Sequence, residues 1–535
     1  MKGVCMRTVR HLFFSMVFVL TVTLVFGQSG IGPITSRVPR ARKRIAHPPT
    51  LVAPQFRLRE VVQGSDSLEN PSGVITNYGF LNDFPVPEPV ERTKTEPDQN
   101  LYLIFDSNPG GPASGYDYGR HFIFQGHENG GDLAYITRVN LDVTDPAHRI
   151  TLLTPLGEDG LTHFNSIDGS TYDPFSKTLL FTQEAGSNGG VIQVTPGWPP
   201  VVTTLDGVFG KAGYEGVHPD DQGNILIIED AGGVSVPVDP ADPNSPKNAR
   251  QPNSFVYRLV PYDKTDFSKG GKLQALQVSI DGVPITFHAD DPNGDIFSLA
   301  QLQLHTPGTS YPVQWITVHD TAVDGTDSFD ANAAAKSAGA SPFKRPENAQ
   351  FLPGSNFQTF FFDPTGDTSA NAGTPDLAAR GSWGSIFRVE LNSDREAGTI
   401  SIFVLGDAIH SSFDNVTFAD ANTLLVAEDR GDTLHSQLDR LDSVWVLRVD
   451  GSPASRFIAL GRDKLSELDV SLAGTPGFQN EGDNEPTGLH VSAGGTLASQ
   501  IAGTLADLNR PRAFLTQQHG KNILWEIVKK KKHEK

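Results

Sequence analysis

Short apolar runs alternate along the chain with clusters of Gly, Pro, Asn and Asp, and this pattern predicts strands. The runs are three to five residues long, rich in β-branched or aromatic residues, and bounded by turn-forming residues. They include 101–105, 178–181, 225–228, 360–362 and 423–426. Helical periodicity is scarce, and the alanine-rich stretch 331–340 lies inside a polar insertion. We therefore predict an all-β protein.

A hairpin unit recurs along the chain, beginning and ending on an acid. Four units begin at Asp168, Glu215, Glu347 and Asp414 and end fifteen or sixteen residues later at Glu184, Asp230, Asp363 and Asp429. A weaker fifth copy opens at Glu485 and ends without an acid. A spacing of roughly 40 to 70 residues per unit is typical of a β-propeller. We predict six blades, with polar loop insertions at 232–254, 321–342 and 366–381.

The two ends of the chain differ from its centre. Lys2, Arg7 and Arg10 stand around the start of an apolar run that ends on small residues, which is typical of a secretory signal peptide. An uncleaved anchor is the alternative. We predict a secreted or periplasmic protein with no membrane span in the mature chain. The predicted divisions are a signal peptide over 1–27, a linker over 28–60, the propeller domain over 61–528 and a basic tail over 529–535.

Composition excludes several classes of function. The formal net charge of −19 over 535 residues disfavours nucleic acid as a partner, because a phosphate backbone needs clustered Lys and Arg. The single cysteine, Cys5, lies in the predicted signal peptide, so the mature chain has no cysteine nucleophile and no disulfide. Residues 291–295 begin like a calcium-binding EF-hand loop, but Ile296 stands where glycine is needed, and we predict a hairpin turn there. We expect a monomer.

The repeated acids predict a metal site at one mouth of the propeller. An antiparallel hairpin places its first residue beside its last, and the inner strands of a propeller all run the same way. The acids of successive blades would therefore gather in a ring, where like charges raise each other's pKa unless cations lie between them. Oxygen ligands favour Ca²⁺ or Mg²⁺ over zinc. The alternative is that these acids are ordinary turn residues and strand-edge guards.

Several of these segments together resemble the PhoX-type alkaline phosphatase family. They are 165–172, 179–184, 214–216, Lys-Arg-Pro-Glu-Asn at 344–348, 413–415, 427–429, 485–488 and 514–520. Such proteins are secreted six-bladed propellers that hydrolyse phosphate monoesters and hold calcium and, in the best-known members, a pair of irons. The resemblance implies that Glu184, Glu215 and Glu347 are carboxylate ligands of metal, with Asp414 as a weaker candidate. It also implies that Arg345 holds the substrate phosphate, and a planar guanidinium can indeed bind two phosphate oxygens at once.

The sequence departs from that family at one position of the site. Iron-containing members carry Thr-Cys-Glu-Glu, whereas this chain has Thr182-Gln183-Glu184-Ala185. The missing thiolate and second carboxylate argue against iron and leave several Ca²⁺ ions as the expected cofactors. We therefore expect a secreted, calcium-dependent hydrolase of small-molecule phosphate esters. Two alternatives stay open: a calcium-dependent lactone or ester hydrolase, and a calcium-stabilised binding propeller without catalysis.

Overall fold

Six antiparallel blades are arranged around a central axis in the computed structural model. It describes residues 31–40, 48–70, 75, 77–79, 95–128, 134–461, 485–492 and 512–531. Within these residues, each innermost strand contacts the innermost strand of the next sheet, and the last contacts the first. The prediction of an all-β propeller with six blades is confirmed. The predicted signal peptide lies outside the described residues.

Each blade has four main strands, which run in order from the axis outwards. Blade 1 has Pro97–Ile104, His121–His127, Tyr135–Asn140 and Ile150–Leu152. Blade 2 has Ile167–Asp173, Thr178–Gln183, Gly190–Val194 and Val202–Thr204. Blade 3 has Tyr214–Pro219, Ile225–Glu229, Val256–Pro261 and Gly271–Ile280. Blade 4 has Pro346–Phe351, Thr359–Pro364, Ser385–Leu391 and Ala397–Leu405.

The last two blades use strands from near the start of the chain. Blade 5 has Phe413–Asp420, Thr423–Glu428, Ser443–Arg448 and Ser455–Ala459, with Leu51–Val52 added outside. Blade 6 has Glu485–Val491, Ala513–Gln518, Ile523–Lys529 and, outermost, Phe56–Val62. The ring is thus closed by a strand that precedes blade 1 in the sequence.

This closing strand corrects the prediction of a linker over 28–60. The linker was predicted from the polar composition of the segment, its basic run at 40–44 and its two prolines at 48 and 49. Arg57, Arg59 and Glu60 are indeed exposed. Phe56 and Leu58, however, pack in the core cluster shared by blades 5 and 6. Ile523–Lys529 supplies the hydrogen-bonding partner, with Leu58 opposite Ile527. The alternation is that of an outer strand with one solvated face.

The insertions contain the helices. They are Pro292–Phe297, Leu299–Leu304, Thr321–Asp324, Ala331–Ala338, Pro375–Ala378 and Gly431–Leu438, with 3₁₀ turns at Gly186–Asn188, Phe267–Lys269 and Ala370–Ala372. The hairpin turn predicted at 291–295 is wrong. Asp291 instead caps the helix Pro292–Phe297 by accepting from the N–H of Gly294, and Pro292 stands at the first helical position. No helix among the described residues has the length and apolar character needed to span a membrane.

Blades 3 and 4 are joined into one sheet by Tyr311–Asp320. That strand pairs with Gly271–Ile280 on one edge and with Ala397–Leu405 on the other. Two short ribbons, Val283–Pro284 on Gly271–Ile280 and Ser235–Val236 on Ala249–Arg250, complete the strands. The apolar core lies between the blades, as where the ring of Phe361 in blade 4 meets that of Phe418 in blade 5 edge to face, with centroids 5.6 Å apart.

Candidate metal centre

The inner strands of five blades share one irregularity, and an acid occupies it each time. The antiparallel register breaks directly after the first paired residue of the strand, as a β-bulge would produce. The residues that follow the break are Asp98, Asp168, Glu215, Glu347 and Asp414, all of them buried. We call these five acids the inner ring. In blade 6 the break falls one residue later, after Thr487. Thr487 follows Pro486 as Asp98 follows Pro97, and it donates a hydrogen bond to the carboxylate of Asp98.

Close approach between neighbouring blades holds the inner ring together. A Cβ on Gly169 would lie 2.1 Å from the carbonyl oxygen of Glu215, and one on Gly488 would lie 2.4 Å from that of Asp98. Both distances are far below van der Waals contact, so only glycine lets consecutive blades approach this closely.

A second ring lies beside the first, set by one repeated backbone hydrogen bond. In five blades the N–H that follows the second strand donates to the carbonyl of the residue just before the inner strand, over 2.7 to 2.9 Å. The donors are Glu128, Glu184, Asp230, Thr365 and Asp429, and their acceptors are Glu96, Ser166, Gly213, Arg345 and Ser412. Because the backbone bond is the same, the five donor residues occupy equivalent places. We call them the second ring.

The two rings together form three clusters that could each hold a metal ion. Within each cluster, one oxygen from each of three carboxylates lies within 4.8 Å of the others. The clusters are Asp98–Glu128–Asp168, Asp168–Glu184–Glu215 and Glu215–Asp230–Glu347. Each combines both ring residues of one blade with the inner-ring residue of the next. Asp168 and Glu215 therefore belong to two clusters each.

Burial and mutual repulsion make these carboxylates costly to ionise without a cation. Burial raises the pKa of Asp98 to about 8, and the charge of Glu128 adds to the effect. Burial and the neighbouring acids also raise the pKa of Glu184, Glu215 and Glu347 well above the usual range. Divalent cations would relieve this repulsion. All donors in the clusters are oxygens, which suits Ca²⁺ or Mg²⁺.

Arg345 lies at the edge of the third cluster. Its Nε and Nη2 donate to the carboxylate of Asp230 at 2.6 to 3.1 Å, and Nη2 lies 3.6 Å from Glu347. Burial opposes its charge, but the carboxylates of Asp230 and Glu347 raise the pKa of Arg345 further, so it stays a cation. Its backbone has φ +54°, in the left-handed region that a side chain rarely adopts. The residues preceding the inner strands of blades 1, 2 and 5 share this conformation, so the turn belongs to the repeat.

The structure brings most of the predicted site residues together. Glu184, Glu215 and Glu347 lie in the overlapping clusters, and Arg345 adjoins them. Asp414 lies on the inner ring but outside the three clusters found among the described residues, and it accepts a hydrogen bond from Asn415 at 2.7 Å.

Asp363 is not the partner of Glu347 that the hairpin spacing suggested. The loop of the blade 4 hairpin is longer by two residues, so Thr365 takes the second-ring position. Asp363 instead lies within its strand and accepts from the backbone N–H of Asn348 at 3.0 Å. The second ring thus has no acid in blade 4, the blade that carries Arg345, and Asp230 of blade 3 is the second-ring acid that Arg345 binds.

Asp98, Glu128, Asp168 and Asp230 complete the clusters and were not among the predicted ligands. Asp168 was visible as the start of a hairpin. Asp230 was visible as the end of a hairpin. Asp98 and Glu128 were not, because the loop 105–120 separates the two strands of their hairpin. The order Glu96-Pro97-Asp98, which parallels Arg345-Pro346-Glu347, is the signal that could have found Asp98.

Part of this chain matches a known protein family. Residues 247–492 match the family model described as alkaline phosphatase PhoX. The resemblance to the PhoX family is confirmed. The match begins in the blade 3 insertion and ends in the first strand of blade 6, so it includes Arg345, Glu347 and Asp414. No curated protein sequence matches the chain significantly.

Solved structures extend the likeness to PhoX over nearly the whole fold. PhoX from Pseudomonas fluorescens, in complex with the transition-state analogue vanadate, has a TM-score of 0.54 at 11% identity. The match covers 93% of this chain and 98% of that chain. An auxiliary nutrient binding protein from Bacteroides thetaiotaomicron reaches a TM-score of 0.37 at 9% identity, covering 89% of this chain and 77% of its own. At 11% identity, the likeness to the Pseudomonas structure shows the fold alone.

The PhoX-like centre of this chain departs from a thiolate-containing one in structure as well as in sequence. Gln183 stands where the family has cysteine, and its Nε2 donates to the carbonyl of Asn165 at 2.9 Å. Ala185, which stands where the family has its second glutamate, has no side-chain oxygen that could bind a metal ion. The three clusters are therefore built from carboxylates alone, which fits a hard divalent cation.

Proposed function

We propose that the protein is a secreted, calcium-dependent hydrolase of phosphate esters. The PhoX family match and the PhoX fold support a phosphoester hydrolase of the alkaline phosphatase type. The observation that carries the proposal is the position of Arg345 at the rim of three overlapping carboxylate clusters. A phosphate dianion is bound by several positive groups at once, and a guanidinium beside a set of cation sites supplies them.

Different residues of the chain would bind the metal ions and the phosphate. The inner and second rings would hold the cations, with Asp168 and Glu215 each shared between neighbouring sites. Bound divalent cations would neutralise phosphate oxygens and lower the pKa of a coordinated water. Arg345 would orient the phosphate through two parallel N–H donors and hold its charge in place. Asp230 now occupies those donors, so phosphate would have to share or displace that contact.

Calcium is the proposed metal because the donors are carboxylate oxygens on rigid strands. Secretion is proposed from the N-terminal sequence, and it suits calcium, which is abundant outside the cytoplasm. A small-molecule phosphoester is the proposed substrate.

Hydrolysis of an aryl phosphate by the chain from Gln28 onward tests the proposal. The protein is stripped with a chelator and then refilled with Ca²⁺ or Mg²⁺ alone. We expect activity to return with calcium. Arg345→Ala should lower kcat/KM by about 30- to 100-fold, the value of a bidentate charge-assisted contact, while sparing metal uptake.

A matched control is Arg388→Ala, which removes a half-buried arginine of the third strand of the same blade, where it pairs with Glu390 rather than with a ring acid. It should leave turnover unchanged. Stoichiometric calcium uptake without turnover would overturn the phosphatase proposal and favour the calcium-stabilised binding propeller. Turnover of aryl esters but not of aryl phosphates would favour the ester hydrolase.

A further inference from the structure

Three insertions of blades 3 and 4 pack together next to the acid rings. We define the cap as residues 232–254, 292–297 and 366–381. The segments 232–254 and 366–381 begin just after second-ring residues Asp230 and Thr365, so they leave the propeller at the mouth where the acids lie. The apolar side chains of Val236, Ala249, Ile296, Ala372 and Leu377 pack the three insertions together.

The cap is attached one residue away from Arg345. The carboxylate of Asp367 accepts from the backbone N–H of Arg250 at 2.8 Å and from Nζ of Lys344 at 3.0 Å. Both Asp367 and Lys344 are buried. The backbone of Arg250 is thus held against the residue that precedes Arg345, at a fixed register.

The side chain of Arg250 returns toward the metal centre. Its Nη1 lies 3.2 Å from the point that a Cβ on Gly232 would take. Gly232 is the second residue after Asp230, which Arg345 binds. Burial, together with the charge of Arg345, lowers the pKa of Arg250, and the charges of Asp230 and Glu347 oppose that effect.

This guanidinium has little to bind among the described residues. It makes one long hydrogen bond, from Nη2 to Oγ1 of Thr368 at 3.4 Å, and no carboxylate lies within ion-pair distance. Arg258, Arg395 and Arg430, by contrast, each pair with at least one acid. Arg250 is half-buried, so its N–H groups have lost part of their water. The Arg250 guanidinium carries five N–H donors near the guanidinium of Arg345, and two such cations together can bind an oxyanion.

We propose that Arg250 is a second phosphate-binding residue, which reaches from the cap to the oxygens of the substrate phosphate held by Arg345. The inference rests on the proposed function and deepens it. The phosphate would lie between two guanidiniums, one fixed on the propeller and one carried by the cap. Asp367 and Lys344 position the second one and do not touch the substrate themselves.

Binding of inorganic phosphate to the calcium-loaded protein tests this directly, without turnover. Isothermal titration calorimetry would compare the wild type with Arg250→Gln, which keeps an amide donor, and with Arg250→Lys, which keeps the charge. We expect the Kd for phosphate to rise about 10- to 100-fold in Arg250→Gln and less in Arg250→Lys. KM for an aryl phosphate should rise with it, at unchanged calcium stoichiometry and Tm.

Lys247→Ala is the matched control, because Lys247 is an exposed cation of the same insertion. It should leave the Kd for phosphate unchanged, which separates a specific contact from general charge. Wild-type affinity in Arg250→Gln, alongside lost affinity in Arg345→Ala, would overturn the inference and leave the proposed function standing. Absence of phosphate binding by the calcium-loaded wild type would overturn both. An equal loss in Lys247→Ala would also overturn the specific role of Arg250.

Discussion

Lys344 and Asp367 form a buried ion pair, with Nζ and Oδ2 3.0 Å apart and side-chain exposures of 5% and 0%. The pair joins the blade 4 inner strand to the insertion that follows the second strand of the same blade. Since the other oxygen of Asp367 holds the backbone of Arg250, one carboxylate ties three segments together beside the metal centre.

Replacing one member of this pair should destabilise the protein strongly. Asp367→Asn leaves the Lys344 ammonium buried without a countercharge, which costs about 3 to 5 kcal/mol. We expect the free energy of unfolding, measured by urea titration, to fall by that amount. Asp376→Asn is the control, because Asp376 lies in the same insertion with a side chain 64% exposed. Equal, small effects in the two variants would contradict the importance of the buried pair.

The sharing of acids between clusters predicts unequal metal losses. Glu215 belongs to two clusters and Glu184 to one. Glu215→Gln should therefore lose about two bound calcium ions, and Glu184→Gln about one, because each carboxylate is one of three at a site. Metal analysis after dialysis against calcium would count them. Glu390→Gln, which changes an exposed acid on the third strand of blade 4, should lose none. Identical losses in the first two variants would be inconsistent with overlapping sites.

Gly169 lies where blades 2 and 3 are in close contact, so adding a single methyl group there should lower both stability and calcium affinity. In Gly169→Ala the new Cβ would meet the carbonyl oxygen of Glu215 at 2.1 Å and Oγ1 of Thr182 at 2.5 Å, so the inner strands of blades 2 and 3 must separate. We expect a lower Tm and weaker calcium binding at the clusters that contain Glu215. Calorimetry with and without calcium would measure both. Gly197→Ala should be neutral, because nothing lies within 4 Å of its added Cβ.

His305 predicts a loss of stability in acid. Burial lowers the pKa of His305 from 6.5 to about 4. Between these values the unfolded chain binds a proton that the folded chain does not. This group therefore has no effect above pH 6.5, and it destabilises the fold as pH falls toward about 4, by up to about 3 kcal/mol.

Replacing His305 should reduce that dependence. In His305→Asn the side chain no longer titrates, while an amide can still donate to the carbonyl of Gln301, as Nδ1 does at 2.8 Å. Urea titrations at pH 5 and pH 7 should differ less in this variant than in the wild type. The comparison variant is His163→Asn, whose histidine is 48% exposed. An unchanged difference in His305→Asn would show that other groups carry the acid sensitivity.

Local sequence patterns were enough to predict the fold class and much of the inner ring. Strand runs and tight turns are local, and a hairpin brings its two ends together whatever the rest of the chain does. The positions of Asp168, Glu184, Glu215 and Asp414 therefore followed from spacing, and Arg345 from its motif.

The remaining members of the site depend on register and on contacts between distant parts of the chain. A two-residue difference in one hairpin loop put Thr365 into the second ring and Asp363 inside the sheet, because register decides where each side chain of a strand lies. Asp98 and Glu128 lie together although the loop 105–120 separates the two strands that carry them. Phe56–Val62 became a strand only because ring closure brought Ile523–Lys529 beside it. Arg250 reached the metal centre through packing between insertions of two blades, a contact that no local pattern encodes.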